Sequence, residues 1–340
     1  MGATLLEVDN LTTSFFTHQG EVQAVRGVNF RVNAGEMVGI VGESGSGKSV
    51  TLLSVLQLLK SPGKTIAGRA LFKGENLLDK NERQMRALRG DCLSMIFQDP
   101  MTSLNPTLTI GEQIMETLRV HRRISRKAAR HRAVELLELV RIPSPDQRLN
   151  AYPHEFSGGM RQRVMIAMAL SCDPDLLIAD EPSTALDVTI QAQIILLLKQ
   201  IQRELNTAVI LITHDLGVIA EAVSRVIVMY GGMIMEEASV EDIFYRPRHP
   251  YTWGLLASVP RVDVEEKQRL SPIAGSPPDM LNPPAGCPFF PRCRFALQIC
   301  RLKIPAYFSS APGRRSLCWR LHPGAPDRNR FLERQKNYVN

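Results

Sequence analysis

Gly42-Glu43-Ser44-Gly45-Ser46-Gly47-Lys48-Ser49 fits the phosphate-loop pattern G-x-x-x-x-G-K-[ST]. An apolar, β-branched run, Met37–Val41, precedes it, and Val50 to Leu59 follows with aliphatic residues around most of a helical circumference. Strand, glycine turn and helix are the context the pattern needs. Glycines let successive backbone N–H groups turn inward around a polyphosphate, and the helix N-terminus adds its partial positive charge. Lys48 is then expected to reach the terminal phosphates, and the Ser49 hydroxyl to take a place on Mg²⁺. All eight residues are candidate nucleotide contacts.

Downstream, Leu176–Ala179 carries Asp180 and Glu181 to the end of an apolar strand. Asp180 suits the magnesium shell, and Glu181 beside it suits a base that orients and deprotonates water for in-line attack on a γ-phosphate. Around this pair the pattern alternates: helix Met160–Leu170, strand Leu176–Ala179, helix Ile190–Leu205, strand Val209–Thr213, a further helix, strand Val226–Tyr230. Such alternation predicts a parallel sheet with crossover helices. Residues from about Arg83 to Arg148 read as a mostly helical insertion. Upstream, Leu5–Val8 and Phe30–Val32 read as strands set between glycine turns. No internal repeat is visible, so the chain carries one copy of this block.

Composition agrees. The chain has 340 residues, 44% hydrophobic and 22% charged, with a formal net charge of +7. That balance describes a globular protein with one large core and an appended piece. No run of eighteen apolar residues and no leader-like N-terminus is present, so neither a membrane span nor export is expected. The densest basic run, Arg119 to Arg132, reads first as a solvated helix face, with a membrane or nucleic-acid patch as the alternative.

Ser157-Gly158-Gly159 stands before a helix, twenty residues ahead of the acidic pair, and is a second anion-binding turn. At these residues the sequence resembles the ABC ATPase family, whose signature reads L-S-G-G-Q; here Phe156 and Met160 replace its first and last residues. The resemblance implies that this turn contacts the γ-phosphate of ATP held by a partner subunit. It further implies that Gln98 touches the metal and attacking water, that Ala185-Leu186-Asp187 crosses the dimer interface, and that His214 senses the γ-phosphate. Phe15 lies where the family stacks an aromatic ring on adenine, with Phe16 as the competing candidate. The implied magnesium ligands are Ser49, Gln98 and Asp180.

A narrower resemblance, to the oligopeptide/dipeptide importer ATPases, rests on Gln98–Pro106, on Tyr152–Phe156, and on His249-Pro250-Tyr251-Thr252 ahead of a proline- and cysteine-rich tail. It implies an α/β nucleotide-binding fold over residues 1–259, with an N-terminal β-rich layer and a helical subdomain at about 88–155. A small domain at 260–325 and a tail at 326–340 complete it. ATP would close two subunits face to face, and hydrolysis would release them. The implied partners are a second ATPase subunit, more plausibly a paralogue than a copy, two membrane permeases and an extracytoplasmic solute-binding protein, all at the cytoplasmic face of the inner membrane, with no nucleic acid. A soluble ABC ATPase acting on DNA or ribosomes is the rival, and a phosphate-loop kinase a weaker one.

In the tail, seven prolines fall between Pro272 and Pro291, a density that excludes long regular elements. Its cysteines run Cys287-x₅-Cys293-x₆-Cys300-x₁₇-Cys318. None of these gaps has the two-to-four spacing of a zinc ribbon, whereas a [4Fe–4S] cluster tolerates wider intervals. The subfamily resemblance also points to iron–sulfur ligation; zinc and packed apolar thiols are the alternatives. The segment is expected to lack a core of its own, to be clamped by these cysteines, and to lie outside the phosphate site. Cys92 and Cys172 read as small buried apolar residues.

Overall fold

The computed structural model describes residues 2–99, 103–182, 187–258 and 273–339. Pro100–Thr102 of the glutamine-loop motif, Ala185-Leu186 and the boundary placed near residue 260 lie outside the described residues. By contacts the chain divides into two units, one drawn from residues up to 6, 31–37 and 71–212, the other from 7–30, 38–70 and 213 onward.

In the first unit, Leu93–Ile96, Leu176–Asp180 and Ala208–Thr213 form adjacent parallel strands, in register Leu93↔Leu176 and Leu176↔Ala208. The second and third are buried at every position, as strands covered on both faces must be. Leu93–Ile96 falls inside the stretch expected to be helical. Four apolar residues are too few to show a period, so length alone hid it. The remainder of that stretch is largely helical. Helix Ile110–Arg122 opens on a reciprocal Thr109/Glu112 capping box, and Arg126–Leu139 on the Ser125 side chain. The latter buries Ala129, Ala133, Leu136 and Leu137, one stripe at spacings of three and four.

Two fourteen-residue strands, Thr4–Thr17 and Gly20–Asn33, fall mostly in the second unit and are far longer than the short runs legible in the sequence. Their burial alternates, so polar residues such as Thr12 and Gln23 occupy the wetter face and interrupt the apolar signal. Val38–Val41 pairs in parallel with Arg225–Val228. Arg225–Tyr230 then turns back on Met233–Ser239 through Gly231-Gly232, both at positive φ (53° and 75°), the backbone a two-residue hairpin turn requires.

The tail extends this sheet. Arg314–Ser316 pairs with Met233–Ser239, and Phe308–Ala311 with Arg314–Ser316. The tail's apolar residues share a core with flanking elements: Cys318 and Leu321 join Trp253 and Phe331, which lie on either side of residues 260–325, in a buried cluster backed by Phe295, Phe308 and Leu332. The Trp253 and Phe331 rings stack at 4.8 Å, and Phe295 meets Trp253 edge-on at 5.2 Å. The apolar residues are too widely spaced in the chain to read as a core, and the fold gathers them on one tryptophan.

Beneath that cluster sits a buried polar node. Glu236 accepts hydrogen bonds from the Arg248 N–H (2.6 Å), the His249 N–H (2.9 Å) and the Thr252 hydroxyl (2.6 Å), fixing the start of helix Pro250–Ala257. Burial, opposed by those donors, pushes its carboxyl up to about 7. His249 Nδ1 accepts the Tyr251 N–H at 3.0 Å, and burial pushes the imidazole down to about 3 from the ordinary 6.5. The histidine is therefore neutral in the folded state, and acid must charge it on unfolding. A depressed folded pKa contributes stability that is present above about 6.5 and is lost as pH falls towards 3. The His249→Asn protein, whose side-chain oxygen can still accept the Tyr251 N–H, should melt below wild type at pH 7.5. That gap should narrow steadily as pH drops below 6.5. A gap independent of pH in paired thermal melts would remove His249 from the acid response.

Candidate functional site

The phosphate loop is built around a buried cation. Lys48, 5% exposed, donates from Nζ to the Gly42 carbonyl at 2.8 Å and the Glu43 carbonyl at 3.0 Å. Gly42 has φ 154°, and a Cβ there would stand 2.1 Å from the Met229 carbonyl oxygen; at Gly47, φ 99°, it would stand 2.5 Å from the Ala24 carbonyl oxygen. Only glycine passes at either end of the loop. The Gly232 N–H donates to the Ser46 carbonyl (3.1 Å), so the hairpin turn of the neighbouring strands props the loop from below. Helix Lys48–Val55 has no side-chain cap and no acid in its first turn. No acidic side chain in that first turn opposes a bound anion.

Glu43 is held from both sides. Its N–H donates to the Tyr251 hydroxyl at 2.9 Å, and its carboxylate receives Arg292 through both terminal nitrogens, at 2.6 and 3.0 Å. Arg292 is 4% exposed in its side chain, lies over the Tyr230 ring at 5.7 Å, and also donates to the Ile273 and Ala274 carbonyls. Burial works against its charge, yet Glu43 and Tyr230 hold its pKa above the ordinary arginine value. The tail thus touches the phosphate loop directly, against the expectation that it lies apart. No spacing rule links positions 43 and 292, and only the Arg beside Cys293 hinted at a charged contact.

Phe15 is half-buried, with its ring against Gly63, where a Cβ would come within 2.7 Å of Cε1. Phe16 is 47% exposed. His214 is exposed just past Thr213, in a turn closed by Asp215, whose N–H donates to Thr213 Oγ1 (3.0 Å) and whose side chain caps the next helix at the Gly217 N–H (2.8 Å).

In the other unit, Asp180 ends the central strand and is 6% exposed. Glu181 follows in the left-handed region, φ 47°, and its N–H donates to the Ile212 carbonyl at 2.9 Å. That conformation turns the carboxylate off the strand axis, where the Gln98 side-chain amide donates to it at 3.1 Å. Strain of this kind costs about 1–3 kcal/mol and concentrates at functional sites. Ser157 caps helix Gly158–Ala169 by accepting the Met160 N–H (3.4 Å), and Ser157 and Gly158 are exposed. Phe156 is 3% exposed with Arg148 over its ring at 5.4 Å. Its departure from the signature therefore changes the core beneath the turn and leaves the turn's anion-facing backbone as it is. Asp187 caps helix Val188–Leu205 through the Ile190 N–H at 2.9 Å. Three cations of the basic run form ion pairs: Arg122 with Asp91, Arg130 with Asp146, and Arg132 with Glu135 and Asp173.

The four tail cysteines influence one another. Burial first, then the neighbouring thiols, push Cys293 up to about 12 and Cys318 well above the ordinary thiol range; burial, with Cys300 adding, pushes Cys287 up to about 11. The Leu297 N–H donates to Cys300 Sγ at 3.4 Å, and backbone hydrogen bonds partly offset the rise at Cys287, Cys293 and Cys318. Among the described residues, however, no three His, Cys, Asp or Glu side chains stand close enough to enclose one metal ion. Cys172 is buried, and burial raises Cys92 to about 11.

Two family descriptions match the chain: ABC transporter over residues 25–184, and Oligopeptide/dipeptide transporter, C-terminal region, over 235–300. The oligopeptide transport ATP-binding protein OppD of Bacillus subtilis is 55% identical over 95% of this chain and 90% of its own length. The OppD of Escherichia coli is 52% identical over 93% of each chain. The dipeptide transport ATP-binding protein DppD of Bacillus subtilis is 54% identical over 93% of this chain and 94% of its own. Among solved structures, the ATP-binding cassette MJ0796 in a dimeric post-hydrolysis state with ADP and Pi superposes with a TM-score of 0.63 at 30% identity, covering 69% of this chain and 99% of that one.

The two loop glycines should separate by what a methyl group meets. Gly42→Ala drives Cβ into the Met229 carbonyl, which sits in a paired strand and cannot yield, so nucleotide affinity should fall at least about tenfold and stability by roughly 1–3 kcal/mol. Gly45→Ala, at φ 75° but with nothing within 4 Å, should cost only about 1 kcal/mol of backbone strain. Equal losses in nucleotide titrations and melts would contradict this reading of the loop.

Proposed function

Because the chain belongs to the ABC transporter family, with oligopeptide and dipeptide transport ATP-binding proteins as its relatives, we propose that it binds and hydrolyses ATP to power import of peptides or similar small solutes. The observation that carries the catalytic part is the Gln98–Glu181 contact at the end of the buried parallel strands. Glu181 is the group that orients and deprotonates the attacking water. Gln98 spends its amide N–H on that carboxylate, which keeps its carbonyl oxygen for a cation. The Ser49 hydroxyl, the Asp180 carboxylate and the Gln98 carbonyl are each a hard oxygen donor of the kind Mg²⁺ prefers, and each is assigned to it. Magnesium, when bound, neutralises charge on the β- and γ-phosphate oxygens. Lys48 and the N–H groups from Gly45 to Ser49 hold the phosphates, and Phe15 is assigned to the adenine ring. Ser157-Gly158-Gly159 and Asp187 are assigned to the partner subunit's side of a closed dimer, and His214 to sensing the γ-phosphate.

Among the described residues no helix is long and apolar enough to cross a membrane, so the solute path is assigned to other chains. In this reading the protein sits at the cytoplasmic membrane face with a paralogous ATPase subunit, two permeases and an extracytoplasmic binding protein. Glu181→Gln should leave ATP affinity within about threefold and lower turnover by roughly 10²–10⁴-fold, the worth of a positioned base. Turnover near wild type would take Glu181 out of the mechanism. Purification from membranes without co-purifying permeases would count against transport.

The finer proposal for the tail is that Cys287, Cys293, Cys300 and Cys318 ligate one [4Fe–4S] cluster. The backbone hydrogen bonds at the sulfurs support it, since such donors stabilise thiolate ligands. The absence of a single-ion site among the described residues is compatible, because a cluster interposes its own irons and sulfides and needs its ligands further apart. Protein prepared without oxygen should contain about four irons and four sulfides per chain. Stoichiometric zinc, or no metal, would overturn the assignment.

A further inference from the structure

Cys287-Pro288-Phe289-Phe290-Pro291-Arg292-Cys293 is a short loop bracketed by two of the clustered thiols. Both of its inward side chains lead to the phosphate loop. Phe289 packs on Tyr230 (5.4 Å between centroids) and on Tyr251 (5.3 Å), the tyrosine whose hydroxyl accepts the Glu43 N–H. Arg292 takes the Glu43 carboxylate in a two-pronged, nearly buried ion pair. Pro277, Pro278 and Met280 of the same tail line a groove with Glu43, Ser44, Gly45 and Ser46. The tail therefore grips the phosphate loop at Glu43.

We infer that Arg292 is a positioning residue for ATP binding, and that through it the cysteine-bracketed loop sets the affinity of the phosphate loop. This rests on the ATPase reading above. Two effects act in one direction. A bidentate arginine–carboxylate pair orders the loop before the ligand arrives, which lowers the entropy lost on binding. It also neutralises a carboxylate that would otherwise stand unpaired beside an incoming polyphosphate and repel it.

The second effect gives the test a signature that a general loss of structure lacks. In the full-length protein, Arg292→Met should weaken ATP binding about tenfold, measured calorimetrically, while kcat at saturating ATP stays within about threefold. Adding Glu43→Gln to that variant should recover most of the lost affinity, because the repelling charge is gone; Arg292→Lys should lie between wild type and Arg292→Met. Cys300→Ser, which loosens the bracket from a distance, should weaken ATP binding in the Arg292 background and add nothing to Arg292→Met. Thermal melts confirm which variants are folded, and Arg292→Lys serves if Arg292→Met is not. Unchanged ATP affinity in a folded Arg292 variant, no recovery with Glu43→Gln, or a Cys300→Ser effect that simply adds would each overturn the inference. A wild-type chain that binds no ATP would instead overturn the ATPase reading itself.

Discussion

A lysine with its ammonium out of water must find donors' partners or lose its charge, and Lys48 finds them in the carbonyls of Gly42 and Glu43. Everything around the phosphate loop follows from keeping that arrangement. The carbonyls point inward only because Gly42 and Gly47 take conformations and close approaches that no side chain allows. The neighbouring strands supply the backbone those glycines pass, and their Gly231-Gly232 turn donates to the loop from beneath. When phosphate oxygens arrive, the ammonium can exchange carbonyl partners for charged ones with little movement, which is a cheap way to keep a site ready.

The element proposed for hydrolysis is built differently. Asp180 and Glu181 are adjacent in sequence but are given different environments: one is buried at a strand end, the other rotated into the left-handed region and bonded to Gln98. Two neighbouring carboxylates can then serve different purposes, one suited to a cation and one to a water. The backbone hydrogen bond from Glu181 to Ile212 holds the twist in place, so local strain is sustained by the paired strands around it.

The tail shows how sparse apolar residues become a folded segment. Trp253 gathers Phe295, Phe331 and Leu321, while Glu236 fixes the helix that carries Trp253 and Tyr251. The same helix therefore serves the tail core on one side and Glu43 on the other. A segment that composition describes as an appendage is, through Tyr251 and Arg292, part of the phosphate loop's support.

Several of the candidate site's motifs were legible in the sequence because each is local. A phosphate loop, an acidic pair after an apolar strand, and a serine–glycine–glycine turn before a helix each consist of consecutive residues whose backbone geometry dictates their type. The parallel strands 176–180 and 208–213 were legible for the same reason, since burial on both faces makes them unbroken apolar runs. The four-residue strand Leu93–Ile96, the long alternating strands at the N-terminus and the tail hairpin were not, because their length or their polar faces blur the period. Sequence by itself determined which residues are candidates for phosphate, metal and water. Only the tertiary structure decided that Glu43 is clasped by Tyr251 and Arg292 and that Trp253 gives the tail a core, since such contacts join residues about 210 to 250 positions apart, or scattered over some eighty, through burial and charge that no local pattern encodes.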